Sequence, residues 1–257
     1  MASETVKEAV TAQFAGAAEA YASSEVFVGG PDLEAMRATA MLRGQERVLD
    51  IGAGAGHTAL FFAPGVRRVD AIDLAGPMLT QGRRLATERG LENVHWHRGE
   101  AEALPFEDAS FDIVTSRQSA HHFPDLSAAL CEVHRVLRGN GSFILVDTVA
   151  PEDHAGATFL NAFEVLRDSS HVRDHAVSDW VRMLDEAGFE ARVESHWKLD
   201  LSFGDWVRRS ATPVDAIDAL RAFVGRAPRE ISRRFFPEPE RCERLLLDTR
   251  LIVASRR

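Results

Sequence analysis

The stretch VLDIGAGAGHTALFF, Val48 to Phe62, places an acid and three glycines at a chemically useful spacing. Asp50 closes an apolar run, and Gly52, Gly54 and Gly56 follow at alternate positions. Glycine-rich turns between a strand and a helix let the main chain approach a nucleotide with no Cβ in the way. Such a turn is compatible with hydride, phosphate or methyl chemistry. The dinucleotide pattern G-x-G-x-x-G/A fails from Gly52, where it ends on His57, and fits from Gly54, where it ends on Ala59. Asp50 argues against a pyrophosphate here, because a carboxylate beside the helix N-terminus repels one. It suits a ligand with a cationic end, held directly or through water.

A second acid, Asp73, ends the run RRVDAID about 20 residues after the first glycine, where a carboxylate accepts hydrogen bonds from ribose hydroxyls. Leu74 and Met78 can cover an adenine face. In Gly99-Glu100-Ala101-Glu102, the Glu100 carboxylate and the Ala101 amide can read the adenine edge. S-adenosylmethionine answers this set: it has no phosphate and brings an ammonium and a sulfonium to the turn. A ligand-free tight turn would not call for Asp50, Asp73 and Glu100 at three successive strand ends.

Further on, SRQSAHHFPD follows a fourth strand-like run. Arg117 and Gln118 are expected to face the methionine end of the cofactor. His121 and His122 come next. Neighbours in extended chain point apart and no acid cluster completes a site, so no metal is expected. His122 titrates in the right range for a general base, and a loop-positioning role explains it equally well. His171 and Arg173 form an alternative base and anchor, or a plain helix-terminus hydrogen bond. Phe14, Tyr21 and Phe27, with Phe203, Trp206 and Phe223, can roof an acceptor pocket, where aromatic walls suit a planar or apolar molecule. Ordinary lid-to-core contact is the competing reading.

Alternating strands and helices must position these groups. Strands are expected at Arg47–Gly52, Arg67–Asp73, Asn93–Gly99, Ser110–Ser116 and Ser142–Ala150, with helices at 57–65 and 76–90 and a helix from Leu126 ending in a Gly-Asn-Gly turn. This is the pattern of a parallel sheet whose ligands bind beyond the carboxyl ends of the strands. Ahead of it lie helices at 2–22 and from Pro31 to about Leu42. Behind it lie helices at 153–168 and 177–187, strands at 189–199 and 245–256, and a helical insertion at about 203–243, which can serve as a lid or a homodimer surface. One domain over 1–257 is expected, with a helical lid at 1–45, a cofactor-binding core at 46–150 and a C-terminal half at 151–257.

The 257 residues carry a net charge of −9, which gives no general attraction to nucleic acid. Arg226, Arg229, Arg233, Arg234, Arg241 and Arg244 are a local exception, read as a solvated helix face. Of the two cysteines, Cys131 is expected to be a small buried hydrophobe, and neither belongs to a CxxC. The N-terminus does not read as a signal peptide and no window reads as a membrane span, so a reducing cytoplasm is expected.

Taken together, D-x-G-x-G-x-G as Asp50 to Gly56, Asp73 followed by Met78, GEAEALPFEDASFDIV and HHFPD resemble the class I S-adenosylmethionine-dependent methyltransferases. The branch is that of the ubiquinone/menaquinone biosynthesis C-methyltransferases and small bacterial enzymes of unassigned substrate. The resemblance covers residues 46–150, and Ser170 to Phe189 is similar to one unassigned subgroup. It implies a Rossmann-like α/β sandwich, with a seven-stranded, mostly parallel sheet whose last strand, Leu245 to Arg256, is antiparallel. It also implies S-adenosylmethionine as cofactor, S-adenosylhomocysteine as product, and a small-molecule acceptor methylated at carbon or oxygen. Where the family more often has Asp, this chain has Glu100. A nicotinamide-dependent oxidoreductase and a non-catalytic cofactor-binding protein are the alternatives.

Overall fold

The computed structural model describes residues 5–257, with Glu25 and Val26 described by their backbone alone. The seven strands are β1 (Arg47–Ile51), β2 (Arg68–Asp73), β3 (Val94–Arg98), β4 (Phe111–Arg117), β5 (Leu137–Thr148), β6 (Phe189–Ser202) and β7 (Arg244–Arg256). They form one sheet in the order β3-β2-β1-β4-β5-β7-β6. The pairings from β3 to β5 are parallel, and β7 runs antiparallel to both β5 and β6. The chain steps outward from β1 to β3, then returns to the other side of β1 with β4. That reversal opens a crevice at the carboxyl ends of β1 and β4, where open α/β sheets bind ligands.

Central strands are covered on both faces and read as continuous apolar runs, and β1 shows it: four of its five residues are buried. One face is covered by α3 (Pro31–Ala40), α4 (His57–Phe62) and α5 (Gly76–Glu88), through a core that includes Leu33, Phe62, Val69 and Ile144. The other is covered by α6 (Leu126–Val136) and α8 (Val177–Glu186), through Leu130, Val133, Trp180 and Leu184. The apolar stripe of α6 recurs at three- and four-residue steps from Leu126 to Val133, and the Asp125 carboxylate caps its first turn through the Ala128 amide. Cys131 lies one residue round from that stripe and is exposed, so the expectation of a buried hydrophobe there is corrected.

Three further helices sit on the long β6–β7 edge beside α7 (His154–Arg167): α9 (Phe203–Arg209), α10 (Val214–Arg226) and α11 (Arg229–Phe235). With α7 they enclose their own core, in which Phe163 stacks on Trp206 at 4.9 Å and Phe159 on Phe223 at 5.0 Å. The arginines from Arg226 to Arg244 lie on the exposed side of this insertion, in keeping with a solvated face. At the other end of the chain, α1 (Val6–Ala22) starts with a reciprocal Thr5–Glu8 capping box and packs along α5. A short turn of helix, α2 (Glu25–Val28), leads on to α3. Residues 2–4 of the expected first helix lie outside the described residues.

One boundary differs. The helix from Leu126 was expected to run on to a Gly139-Asn140-Gly141 turn, but it ends at Val136 and β5 starts at Leu137. Leu137 pairs with Phe111, and the next pair is Ser142 with Ile113, so the intervening residues bulge within the strand. A Cβ on Gly141 would lie 2.9 Å from the Asp112 carbonyl oxygen, which explains a glycine in that bulge.

Candidate functional site

The carboxyl ends of β1, β2 and β4 border a cleft of about 930 Å³. Its floor is the turn after β1. Gly52, Gly54 and Gly56 all have left-handed backbone, with φ of 63°, 53° and 83°, but their surroundings differ. A Cβ on Gly56 would lie 2.2 Å from the Trp96 ring, and one on Gly52 would lie 2.5 Å from Ser119 Oγ. A Cβ on Gly54 would meet nothing within 4 Å. Gly54 is therefore the glycine whose missing side chain leaves ligand space, whereas Gly56 does not line the cleft and is there to admit Trp96.

Asp73 lines the cleft and braces the turn. Its Oδ2 accepts the Gly54 amide at 2.7 Å and its Oδ1 the Ala75 amide at 2.8 Å. Burial pushes its pKa up, and those two amides oppose the shift. Leu74, Met78, Ala101, Arg117 and Gln118 also line the cleft. Gln118 has a left-handed backbone, φ 52°, fixed by its amide's hydrogen bond to the Val146 carbonyl at 2.7 Å. Strain of this kind in a residue with a side chain is retained where the surroundings over-determine it, often at functional sites.

Two expected contacts are placed elsewhere. Asp50 is not on the cleft wall but lies behind the turn, 1% exposed, where Thr115 Oγ1 donates to its Oδ1 at 2.7 Å. Its Oδ2 has no well-formed hydrogen bond. Burial raises its pKa to about 7, against the Thr115 hydroxyl, the Ala59 amide and the Arg117 charge. Glu100 is turned out of the cleft to Lys7 Nζ at 2.5 Å, and Glu102 lines the cleft instead, 3.3 Å from the same ammonium. Residues 101 and 102 form a turn closed by the Glu100–Ala103 bridge, and that turn places the second acid of GEAE where the first was expected. Ser119 and His57 were also missed. Ser119 Oγ bonds Ser116 Oγ and the Ile51 carbonyl, and His57 Nε2 lies 3.1 Å from the Tyr21 carbonyl, tying the turn to α1. The only sequence signal for His57 was its place directly after Gly56.

A second chamber, of about 660 Å³, continues from the first. Phe14, Tyr21, Phe27, Arg117, Gln118 and His122 border both. Its remaining walls include His121, Glu164, Arg167, Asp174, Trp206 and Arg209. Trp206 and the α1 aromatics thus stand where an acceptor roof was expected. Phe203 and Phe223 do not: they point into the separate core of the insertion. Arg173 lines neither chamber and is exposed, and His171 lies outside both, with Nε2 at 3.1 Å from Asn161 Oδ1. Burial and the neighbouring His121 push the His171 pKa down to about 2.

The paired histidines have opposite fates. Asp147 accepts from His121 Nδ1 at 2.6 Å; burial pulls the pKa down, but the charge and hydrogen bond of Asp147 together with Asp174 and Glu164 raise it to about 10, so His121 is a cation at neutral pH. His122 Nδ1 faces the Ser170 carbonyl at 3.0 Å. A carbonyl only accepts, so Nδ1 carries the proton and Nε2 is the basic nitrogen. Burial and the adjacent His121 charge lower the His122 pKa to about 4, which keeps the ring neutral. Among the described residues no group of His, Cys, Asp and Glu is arranged to hold a metal.

Comparison with known proteins fits this geometry. The methyltransferase domain family model matches residues 49–145. The uncharacterized methyltransferase YcgJ of Bacillus subtilis is 45% identical over 79% of this chain and 80% of its own length. This chain belongs to the class I S-adenosylmethionine-dependent methyltransferases. The crystal structure of YcgJ superposes on the methyltransferase with a TM-score of 0.84, covering 88% of this chain and 98% of that one at 38% identity. A putative methyltransferase from Bacillus halodurans gives 0.83, with the same coverage and 37% identity. A ubiquinone/menaquinone biosynthesis C-methyltransferase, UbiE of Rubrivivax gelatinosus, is 30% identical over 62% of the methyltransferase and 67% of its own length. The cofactor is therefore S-adenosylmethionine rather than a nicotinamide dinucleotide. The open cradle at Gly54 and the paired amides on Asp73 fit that group.

Proposed function

We propose that this methyltransferase acts on a small-molecule acceptor, at a carbon or oxygen atom, and that the acceptor occupies the second chamber. The observation that carries the reading is the continuity of the two chambers across His122, which borders both. When bound, S-adenosylmethionine supplies a methyl group already activated by its sulfonium. In the cofactor-side cleft, Asp73 would hold the ribose hydroxyls, Leu74 and Met78 the adenine face, Glu102 and Ala101 the adenine edge, and the Gly54 backbone the methionine portion.

His122 removes the acceptor's proton. Its tautomer is fixed by Ser170, its ring is kept neutral by burial, and Phe14 packs edge-on against it at 4.9 Å. A positioned base of this kind contributes about 10²–10⁴ in rate. Phe14, Tyr21 and Phe27 close the border from above and exclude water, which strengthens the electrostatic interactions inside. The net charge of −9 supports an acceptor that is not nucleic acid, and the two free cysteines, Cys131 and Cys242, are compatible with a cytoplasmic setting. No helix of the described residues is long and apolar enough to cross a membrane.

The reading is tested by incubating the protein with S-adenosylmethionine and a chemically diverse small-molecule library, measuring S-adenosylhomocysteine release and the product mass. Acceptor-dependent release that is lost in His122→Gln, with S-adenosylhomocysteine still bound, supports it. Binding without turnover on any acceptor would instead leave a non-catalytic cofactor-binding protein.

A further inference from the structure

Arg209, at the end of α9, helps line the second chamber. A row of rings leads to it from His122. Phe14 lies 4.9 Å from the His122 ring, Tyr21 lies 5.4 Å from Phe14, and Phe27 stacks on Tyr21 at 5.3 Å. The Arg209 guanidinium sits 5.1 Å above Phe27 and 5.9 Å above Tyr21. The row is aromatic throughout, edge-on at Phe14 and stacked from Tyr21 to Phe27, so it offers an apolar wall with a base at one end and, over its stacked pair, a cation at the other.

Among the described residues, three of the four cations beside this chamber pair with a carboxylate. Arg117 pairs with Asp32 at 2.5 Å, Arg167 with Glu164 at 3.2 Å and His121 with Asp147 at 2.6 Å. Arg209 makes no ion pair with a carboxylate among the described residues: its side chain bonds the Tyr21 hydroxyl and senses the Glu164 charge from farther off, while its Nε is buried without a hydrogen bond. Arg167 Nε and Asp174 Oδ2 are also buried and unpartnered. Burial drives the Asp174 pKa well above the usual carboxylate range, which weakens it as a counter-charge, and no ion pair joins it to Arg209. Buried donors without partners are costly, and two guanidinium Nε atoms of this kind beside one chamber, Arg167 and Arg209, point to a ligand that accepts from them. The same arrangement disfavours an amine. Its natural seat would be an aromatic face, but Arg167 lies 4.4 Å over Trp206 and Arg209 covers Tyr21 and Phe27.

We propose that the acceptor is a flat organic anion whose carboxylate seats on Arg209 while the atom to be methylated is presented to His122. This rests on the reading of the second chamber as the acceptor site. Arg209 then determines specificity and does not touch the reacting atoms. A guanidinium holds a carboxylate through two parallel hydrogen bonds, which fixes the orientation of a flat molecule along the ring row.

The experiment is calorimetry on the full chain saturated with S-adenosylhomocysteine, using three flat probes of equal shape: 2-naphthoate, 2-naphthamide and 2-naphthylmethylamine. The anion is expected to bind at least about tenfold more tightly than the amide or the amine, and Arg209→Gln to bring it to the level of the amide. Arg209→Lys should restore part of the preference, which separates loss of charge from loss of fold. S-adenosylhomocysteine affinity should stay the same in both variants. Equal binding of the three probes, tighter binding of the amine, binding of none, or an anion preference that survives Arg209→Gln would overturn the proposal. Failure of S-adenosylhomocysteine itself to bind would overturn the underlying reading instead.

Discussion

The two chambers meet at His122 but are built differently. The cofactor-side cleft is made largely of main chain at strand ends: a glycine turn, amides on Asp73, and short segments after β1, β2 and β4. The acceptor side is made of long side chains drawn from α1, α7, α9, β6 and β7. A site made of backbone is fixed once the sheet forms, and it can be kept while the acceptor changes. A site made of side chains from an insertion can be respecified without disturbing the sheet. The relatives fit this division, since the family model ends at residue 145, before α7 begins.

The sharpest way to break the contrast is to exchange the roles of two glycines. Gly54→Ala directs a methyl into open ligand space, so S-adenosylhomocysteine affinity should fall by about tenfold or more, with only about 1–2 kcal/mol of backbone strain in denaturant unfolding. Gly56→Ala should do the reverse. Its Cβ would meet Trp96 at 2.2 Å, so it should cost that backbone strain plus about 1–3 kcal/mol of overpacking, with cofactor binding lost only as the fold is lost. If both variants behave alike, the distinction between ligand space and packing space is wrong.

Next in size is His122→Gln, expected to lower kcat by about 10²–10⁴ and leave S-adenosylhomocysteine binding unchanged. Because the His122 pKa is lowered to about 4, the wild-type kcat should not vary with this group above about pH 6 and should fall as pH drops toward 4. Stopped turnover across pH 4 to 9 checks both. His121 has the opposite sign. Its folded pKa, about 10, lies above the unfolded value of about 6.5, so its stabilisation is complete below pH 6.5 and is lost as pH rises through 10. Urea unfolding at pH 7 and pH 10 should show that loss, and His121→Gln should shrink it. The smallest effect belongs to Glu100→Gln. This carboxylate is partly exposed and faces Lys7 rather than the cleft, so cofactor affinity should change by no more than about threefold. Glu102→Gln should cost more.

Much of this was legible because the cofactor side is local in sequence. Strand, turn and acid recur as contiguous motifs, so the five parallel strands, with Asp73, Met78 and Gln118 beside them, could be located from residue types and spacing. Where the reading failed, the deciding partner was far along the chain or on the other side of a residue. Asp50 was assigned to the ligand because nothing in the sequence shows that Thr115 would take one of its oxygens. Glu100 was preferred to Glu102 because the sequence does not show Lys7 lying across the motif. Arg173 and His171 looked like a base and anchor, but a turn exposes one and pairs the other with Asn161. Arg209 was passed over because its meaning depends on rings some 180 residues away, stacked beneath it only in the folded chain.

Helix α1 touches every part of this machinery. Lys7 grips Glu100 and Glu102, Gln13 donates to the Ser210 carbonyl of the insertion at 2.7 Å, and Tyr21 holds His57 through its carbonyl. Phe14 and Tyr21 meanwhile border both chambers. One helix therefore bars two doors. Were this helix to lift as one body, spent cofactor and methylated product would be freed together, so Lys7→Ala should quicken both departures, as read by stopped-flow release of each.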